Sequence, residues 1–191
     1  FRAGGGRGVN VTLPFKLQAC ALATDPSEAA RLAGAANALR FDGDRVHAQN
    51  FDGTGLVNDI QRNLGHAIRG RRVLILGAGG ATRGAILPIA LERPAVLAVA
   101  NRTADKAHQL RADFSAHALV QTGGYADLAG DAFDIVINAT AASLQGGEPP
   151  VPAAALRPGG LRLRGLLRRK DRSRLARRRS AGFTDRPQTM P

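Results

Sequence analysis

An α/β fold built on a doubly wound parallel sheet is the architecture this sequence predicts, and three features carry it. Val73 to Leu76 is an uninterrupted apolar run, as expected of a parallel strand buried on both faces. A glycine-rich loop, Gly77 to Gly84, follows at once and opens a helical stretch. From there apolar runs and helical patterns alternate, which specifies parallel strands joined by crossover helices.

The elements preceding that run are shorter. A Gly-rich turn at Gly4 to Gly8 leads into the apolar segment Val9 to Leu13, which Pro14 closes. Thr24, Asp25 and Pro26 read as a cap with Pro early in the next helix, continued by Glu28 to Leu32. Asn37 to Arg40 and Val46 to Gln49 flank Phe41, Asp42, Gly43 and Asp44 and predict a hairpin around an Asp-Gly turn. After the glycine loop, a helix is expected over Ala81 to Leu91, a strand over Val96 to Ala100 and a helix over Ala104 to Phe114. A short strand near Leu119 and another over Ile135 to Ile137 complete the series. Three regions follow: residues 1–66 as a smaller α/β domain, 67–160 as the parallel-sheet domain, and 161–191 as a basic tail.

The 191 residues carry a formal charge of +12, but it is unevenly spread. Eleven basic residues fall within 161–191 against Asp171 and Asp185, so the first 160 residues are close to balanced. Blocks of like charge usually stay solvated and disordered. With no aromatic residue interleaved among the arginines, only non-specific attraction to nucleic acid is expected, not a specific partner. No apolar run approaches the ~20 residues of a membrane span, and no signal-peptide pattern opens the chain. Cys20 is the only cysteine, which excludes an internal disulfide and favours a reducing, cytoplasmic setting. None of the four histidines has metal-ligand spacing with a carboxylate partner, so no metal is expected.

The loop Gly77, Ala78, Gly79, Gly80, Ala81 lies between a buried strand and a helix, the context of a dinucleotide-binding, Rossmann-like unit. Its glycines let backbone N–H groups approach a pyrophosphate at a helix N-terminus. Thr82 departs from the fingerprint, which asks for Gly or Ala there. The next strand ends in Asn101, Arg102, Thr103 rather than in a carboxylate, and Lys106 lies one turn on. A guanidinium pairs with a ribose 2′-phosphate that a carboxylate would repel, so NADP is preferred to NAD. Lys16, Asn37 and Asp52 stand at the ends of short extended segments, where an open α/β sheet gathers ligand groups.

These clusters, in order, resemble the shikimate dehydrogenase family over residues 1 to 160: NVTLPFK, GAANAL, QNFDGTGL, VLILGAGGATRGAILPI, ANRT and INAT. The resemblance implies NADPH-dependent reduction of 3-dehydroshikimate to shikimate, with a substrate domain and a nicotinamide-binding domain facing a cleft. It implies Lys16 and Asp52 as the catalytic pair, Thr12 and Asn37 as further holders of substrate hydroxyls, and Asn138, Ala139, Thr140 as a turn near the nicotinamide. Phe51 stands where the family more often has Thr. Phe15, Phe51, Phe114, Phe133 and Cys20 are read as packing residues.

Both ends depart from the family. Its first strand and helix, with a carboxylate-binding Ser segment, would precede Phe1, so the substrate domain is expected to be incomplete. After Pro-Gly-Gly the family continues with Ala-Tyr-Asp; here Leu161, Arg162, Leu163, Arg164 follow. Written as CTG CGC CTA CGA, that tetrapeptide reads Cys-Ala-Tyr-Asp one base later. Residues 161–191 are therefore expected to be an out-of-frame reading, which resequencing the coding DNA tests. The remaining alternatives are a quinate or broader polyol-acid dehydrogenase and a truncated, inactive NADP-binding homologue, as monomer or homodimer.

Overall fold

The computed structural model describes residues 1–128, 130–140 and 151–164, and these form two sheets. The first sheet holds β1 (Gly8–Asn10), β2 (Asp25–Pro26), β3 (Ala38–Asp42) and β4 (Arg45–Gln49) in the order β1-β3-β4-β2. The second holds β5 (Arg72–Leu76), β6 (Val96–Ala100), β7 (Gln121–Gly123), β8 (Phe133–Asn138) and β9 (Leu156–Arg164) in the order β7-β6-β5-β8-β9, parallel throughout.

In the first sheet the hairpin is as expected, with β3 and β4 antiparallel and Gly43, at φ 52°, occupying its two-residue turn with Asp44. Two short helices pack on it, α1 (Lys16–Ala21) and α2 (Glu28–Ala33). Their shared core is small because alanines build it: Ala19, Ala30, Ala36 and Ala48. The helix start expected at Thr24 to Pro26 is not there. Asp25–Pro26 is instead a strand, parallel to β4, and Ser27 caps α2, its hydroxyl accepting the Ala30 N–H at 3.2 Å. Proline is tolerated in that strand because it sits at the sheet edge, where its missing N–H leaves no ladder bond unmade.

The second sheet carries most of the core. Val73, Leu74, Ile75 and Leu76 of β5 are at most 1% exposed, each contributing roughly 1.5–3 kcal/mol of transfer free energy. Phe114 and Phe133 are buried as expected, whereas Phe15 and Phe51 are 61% and 54% exposed. Cys20 is half-buried against the alanine core, and burial pushes its thiol pKa up. The strand expected near Leu119 begins two residues later, at Gln121, and Leu119 is exposed. The boundary expected at residue 160 falls inside a strand: β9 runs through it, with Leu161 and Leu163 buried opposite Ile135 and Ile137. Alternation of Leu and Arg suits an edge strand with one face on the core. Residues 165–191, and with them most of the basic tail, lie outside the described residues.

Three further helices are described: α3 (Asp52–Asn58), between the two sheets along the chain, and α4 (Gly80–Leu91) and α5 (Ala104–Asp113), which cross over from β5 to β6 and from β6 to β7. The closest crossing is α3 on α4. Pro88 lacks an N–H, so the carbonyl of Gly84, four residues earlier, has no helical donor at that position. Gly53 docks there: a Cβ on it would lie 2.1 Å from the Gly84 oxygen and 2.7 Å from Pro88 Cγ. Among the described residues no helix is long and apolar enough to cross a membrane.

Candidate active site

The parallel strands share a direction, so the loops after β5, β6 and β8 meet at one edge of the second sheet. The chain steps from β5 outward through β6 to β7 on one side and places β8 on the other. Such a reversal of strand order opens a crevice at the strand C-termini, where ligands of doubly wound sheets bind.

The glycine loop occupies that crevice. Gly77 has φ +102°, a region that favours glycine, and a Cβ there would lie 3.2 Å from Ala139 and Thr140. Its N–H donates to Ala100 O at 2.8 Å. Gly79 is the N-terminal cap residue of the twelve-residue helix α4, and Gly79 and Gly80 are exposed with open space where side chains would be. This is a cradle for an anionic group at a helix N-terminus, and its residues fit a pyrophosphate. Thr82, the departure from the fingerprint, is fully buried and donates its hydroxyl to the Gly77 carbonyl at 2.7 Å, so it ties the loop together.

Arg102, Thr103 and Lys106 are exposed beside the loop, at the end of β6 and the start of α5. Asn101 braces that turn by donating to Thr103 O at 2.9 Å. Sequence reasoning gave Tyr125 no role, yet it stands within reach of Arg102. Burial raises its pKa, while the charge and the N–H of Arg102 act the other way. Across the crevice Asn138 is buried, and its Oδ1 accepts both the Thr140 N–H at 3.1 Å and the Thr140 hydroxyl at 2.7 Å. Ala139 N–H donates to Leu76 O at 2.8 Å, which fixes the 138–140 turn against the glycine loop.

The polar cluster on the first sheet converges on one carboxylate. Lys16 and Asp52 are each the first residue of their helix, α1 and α3. Lys16 Nζ donates to Asp52 Oδ2 at 2.6 Å, and Asn37 Nδ2 donates to Asp52 Oδ1 at 2.9 Å. Asn37 Oδ1 accepts the Phe51 N–H at 3.0 Å, which locks its amide orientation. Asn50, buried and missed in the sequence, accepts the Asp52 N–H at 3.1 Å and donates to Ala35 O at 3.0 Å. Its place two residues before Asp52 in an Asn-x-Asp turn was the available signal. Lys16 is 8% exposed, so an ammonium is held nearly out of water beside a carboxylate that stays partly open. Thr12 stands outside this network, exposed in the turn before α1.

The α3–α4 crossing brings the two halves together, because Gly53, next to Asp52, rests on Gly84, which ends the glycine-loop motif. Asp52, the carboxylate on which Lys16 and Asn37 converge, therefore opens the helix that packs against the helix of the glycine loop. Such an arrangement suits hydride transfer at an alcohol or carbonyl carbon, with proton transfer at its oxygen.

Comparison with known proteins shows which family the chain resembles. Residues 1–39 match the family model described as "Shikimate dehydrogenase substrate binding domain", and residues 59–145 match "Shikimate / quinate 5-dehydrogenase". A shikimate dehydrogenase (NADP(+)) of Dechloromonas aromatica is 52% identical over 161 residues, covering 84% of this chain and 59% of the relative. One of the same name from Aromatoleum aromaticum is 47% identical over 189 residues, covering 97% of this chain and 68% of the relative. Among solved structures, an Ael1 enzyme from Pseudomonas putida superposes with a TM-score of 0.77 at 52% identity, over 81% of this chain and 57% of that one. The chain thus spans about three fifths of the length of the first of these relatives.

Proposed function

The chain belongs to the shikimate dehydrogenase family, and from that premise we propose that it interconverts 3-dehydroshikimate and shikimate with NADP as the hydride carrier. One observation supports the reading most directly: Asp52, the centre of the Lys16–Asp52–Asn37 cluster, opens α3, which packs against the helix of the glycine loop. The dinucleotide supplies the hydride when bound. In the reductive direction Lys16 Nζ, oriented by Asp52 Oδ2, donates a proton to the carbonyl oxygen, and the carboxylate favours its recharging from solvent. Asp52 Oδ1, held by Asn37, stays poised to accept from a substrate hydroxyl. Gly77, Ala78, Gly79, Gly80 and Ala81 hold the pyrophosphate, Arg102 and Lys106 with Asn101 and Thr103 the 2′-phosphate end, and Asn138, Ala139 and Thr140 the nicotinamide side. Thr12, at the mouth of the site, meets a substrate hydroxyl. Residues 1–66 then form the substrate part and 67–164 the dinucleotide part. A lone, half-buried Cys20 fits a cytoplasmic setting, with the chain acting as monomer or homodimer.

The test is NADP+-dependent oxidation of shikimate by the 191-residue chain, followed at the nicotinamide absorbance, beside Lys16→Met and Asp52→Asn. Each variant is expected to lose ~10²- to 10⁴-fold in rate while still binding NADP+. A parent chain that binds the dinucleotide without turnover, or variants with parental rates, would overturn the assignment.

A further inference from the structure

Arg83 joins the two parts of the molecule in a way the catalytic network does not use. It lies in the first turn of α4, where its N–H donates to Gly79 O at 3.1 Å, within the glycine loop itself. Its side chain reaches out of the dinucleotide part. Nε donates to the Leu32 carbonyl at 3.1 Å, in the last turn of α2. Nη1 pairs with Asp113 Oδ2 at 2.6 Å, and the guanidinium lies 5.8 Å from the centroid of the buried Phe114 ring. A second strap runs parallel to it, Glu28 of α2 to His117 beyond α5 at 3.3 Å.

What Leu32 leads to gives the contact its meaning. The chain leaves α2 at Gly34, φ +65°, and five residues after Leu32 arrives at Asn37, the amide that holds Asp52. The intervening backbone is pinned to the same site: Ala36 N–H donates to Lys16 O at 2.9 Å, and Ala35 O accepts from Asn50. A cation on the C-terminal carbonyls of α2 is also favoured by the helix dipole. A planar guanidinium donates in two directions at once, which a lysine ammonium on a flexible stem does not reproduce.

We propose that Arg83 is a positioning residue that couples occupancy of the glycine loop to the placement of Asn37 and Asp52, so that bound NADP+ tightens the grip on shikimate. This rests on the function proposed above, and the experiment separates the two. Shikimate affinity is measured by calorimetric titration of the 191-residue chain, with and without saturating NADP+, for the parent, Arg83→Gln and Arg83→Lys. NADP+ affinity alone and the thermal midpoint are read in parallel.

The parent is expected to bind shikimate about 5-fold or more tightly with NADP+ present. In both variants that factor is expected to fall below about 2-fold while NADP+ affinity alone stays within about 3-fold of the parent. Arg83→Lys keeps a charge opposite Asp113 and so retains more of the thermal midpoint; it decides the matter should Arg83→Gln not fold. A purely structural role would lower the midpoint and leave the coupling factor intact, and that result overturns the proposal. A parent that binds both ligands without coupling overturns it equally, leaving the function standing. A parent that binds neither ligand removes the functional reading first and this inference with it.

Discussion

Substituting Gly53 by Ala places a methyl group in the crossing of α3 on α4. Its Cβ would lie 2.1 Å from the Gly84 carbonyl oxygen, 2.7 Å from Pro88 Cγ and 3.1 Å from the Gly84 carbonyl carbon. Ordinary van der Waals contact begins at 3.4 Å, so α3 must move by about an ångström, and two of the three obstacles are backbone atoms that cannot rotate away. Overpacking of this kind costs ~1–3 kcal/mol, and in a chain of this size each kcal/mol lowers the thermal midpoint by ~2–4 °C. Because Asp52 is the neighbour of Gly53, the same shift moves the carboxylate relative to Lys16 and Asn37, and on the proposed function a misplacement of ~1 Å costs ~10²-fold in rate. Gly84→Ala is the control: its Cβ would meet Asn50 at 3.6–3.9 Å, which is ordinary contact, and Ala is favoured over Gly inside a helix by ~1 kcal/mol. Thermal melts and shikimate oxidation read both variants. Gly53→Ala with a parental midpoint and rate, or Gly84→Ala as damaging as Gly53→Ala, would refute the account of the crossing.

Other expectations follow from the same structure. Thr82→Val leaves the buried Gly77 carbonyl without its donor and is expected to cost ~1–3 kcal/mol in a denaturant melt, with Thr82→Ser recovering most of it; equal losses in both variants would show the hydroxyl to be irrelevant. Arg102→Ala removes a charge-assisted bond of ~1.5–3 kcal/mol and should weaken NADP+ binding ~10- to 150-fold while leaving NAD+ nearly unchanged in a fluorescence titration; parallel losses for the two cofactors would count against a 2′-phosphate contact. Among the described residues, Asp113 and Asp134 are carboxyls whose pKa values the fold holds down. The Arg83 hydrogen bond, chiefly, holds Asp113 below the usual carboxylate range. At Asp134 burial raises the pKa, but the Arg72 N–H and then Arg157 outweigh it and the net shift is downward. A depressed folded-state pKa contributes stability that is complete above the unfolded value of ~3.9 and is lost as pH falls through the folded one. The thermal midpoint is therefore expected to drop below about pH 4, and Asp113→Asn with Asp134→Asn to flatten that limb; an unchanged acid limb in the double variant would remove both groups from the explanation.

Much of the dinucleotide part was legible because its signals are local. A four-residue apolar run, a glycine loop directly after it, and a strand ending in Arg rather than Asp are read along the chain without reference to distant residues. The errors have a common origin. Asp25–Pro26 carries a good helix-start signal, yet pairing with β4 turned it into a strand and moved the cap to Ser27. Leu161 to Arg164, read as part of a solvated basic tail, gained a neighbour in β8 that buries its two leucines. Phe15 and Phe51, apolar and therefore assigned to the core, open the two helices of the polar cluster and lie exposed beside it. In each case a long-range contact, or its absence, outweighed the local preference.

The sequence by itself determined the residue types of the candidate site and the family they belong to: a lysine, an asparagine and an aspartate in short motifs, a glycine-rich loop between a strand and a helix, and a cation where an NAD-binding protein would have a carboxylate. Tertiary structure alone decided that the helix opened by Asp52 packs on the helix of the glycine loop. Asp52 is 25 residues from Gly77 along the chain, and nothing in that spacing brings them together; the crossing of α3 on α4 at Gly53, Gly84 and Pro88 does. The roles of Thr82, Asn50 and Arg83 were likewise invisible until their partners were known, because a hydroxyl, an amide or a guanidinium acquires a function from the carbonyl or carboxylate that packing places within about 3 Å of it.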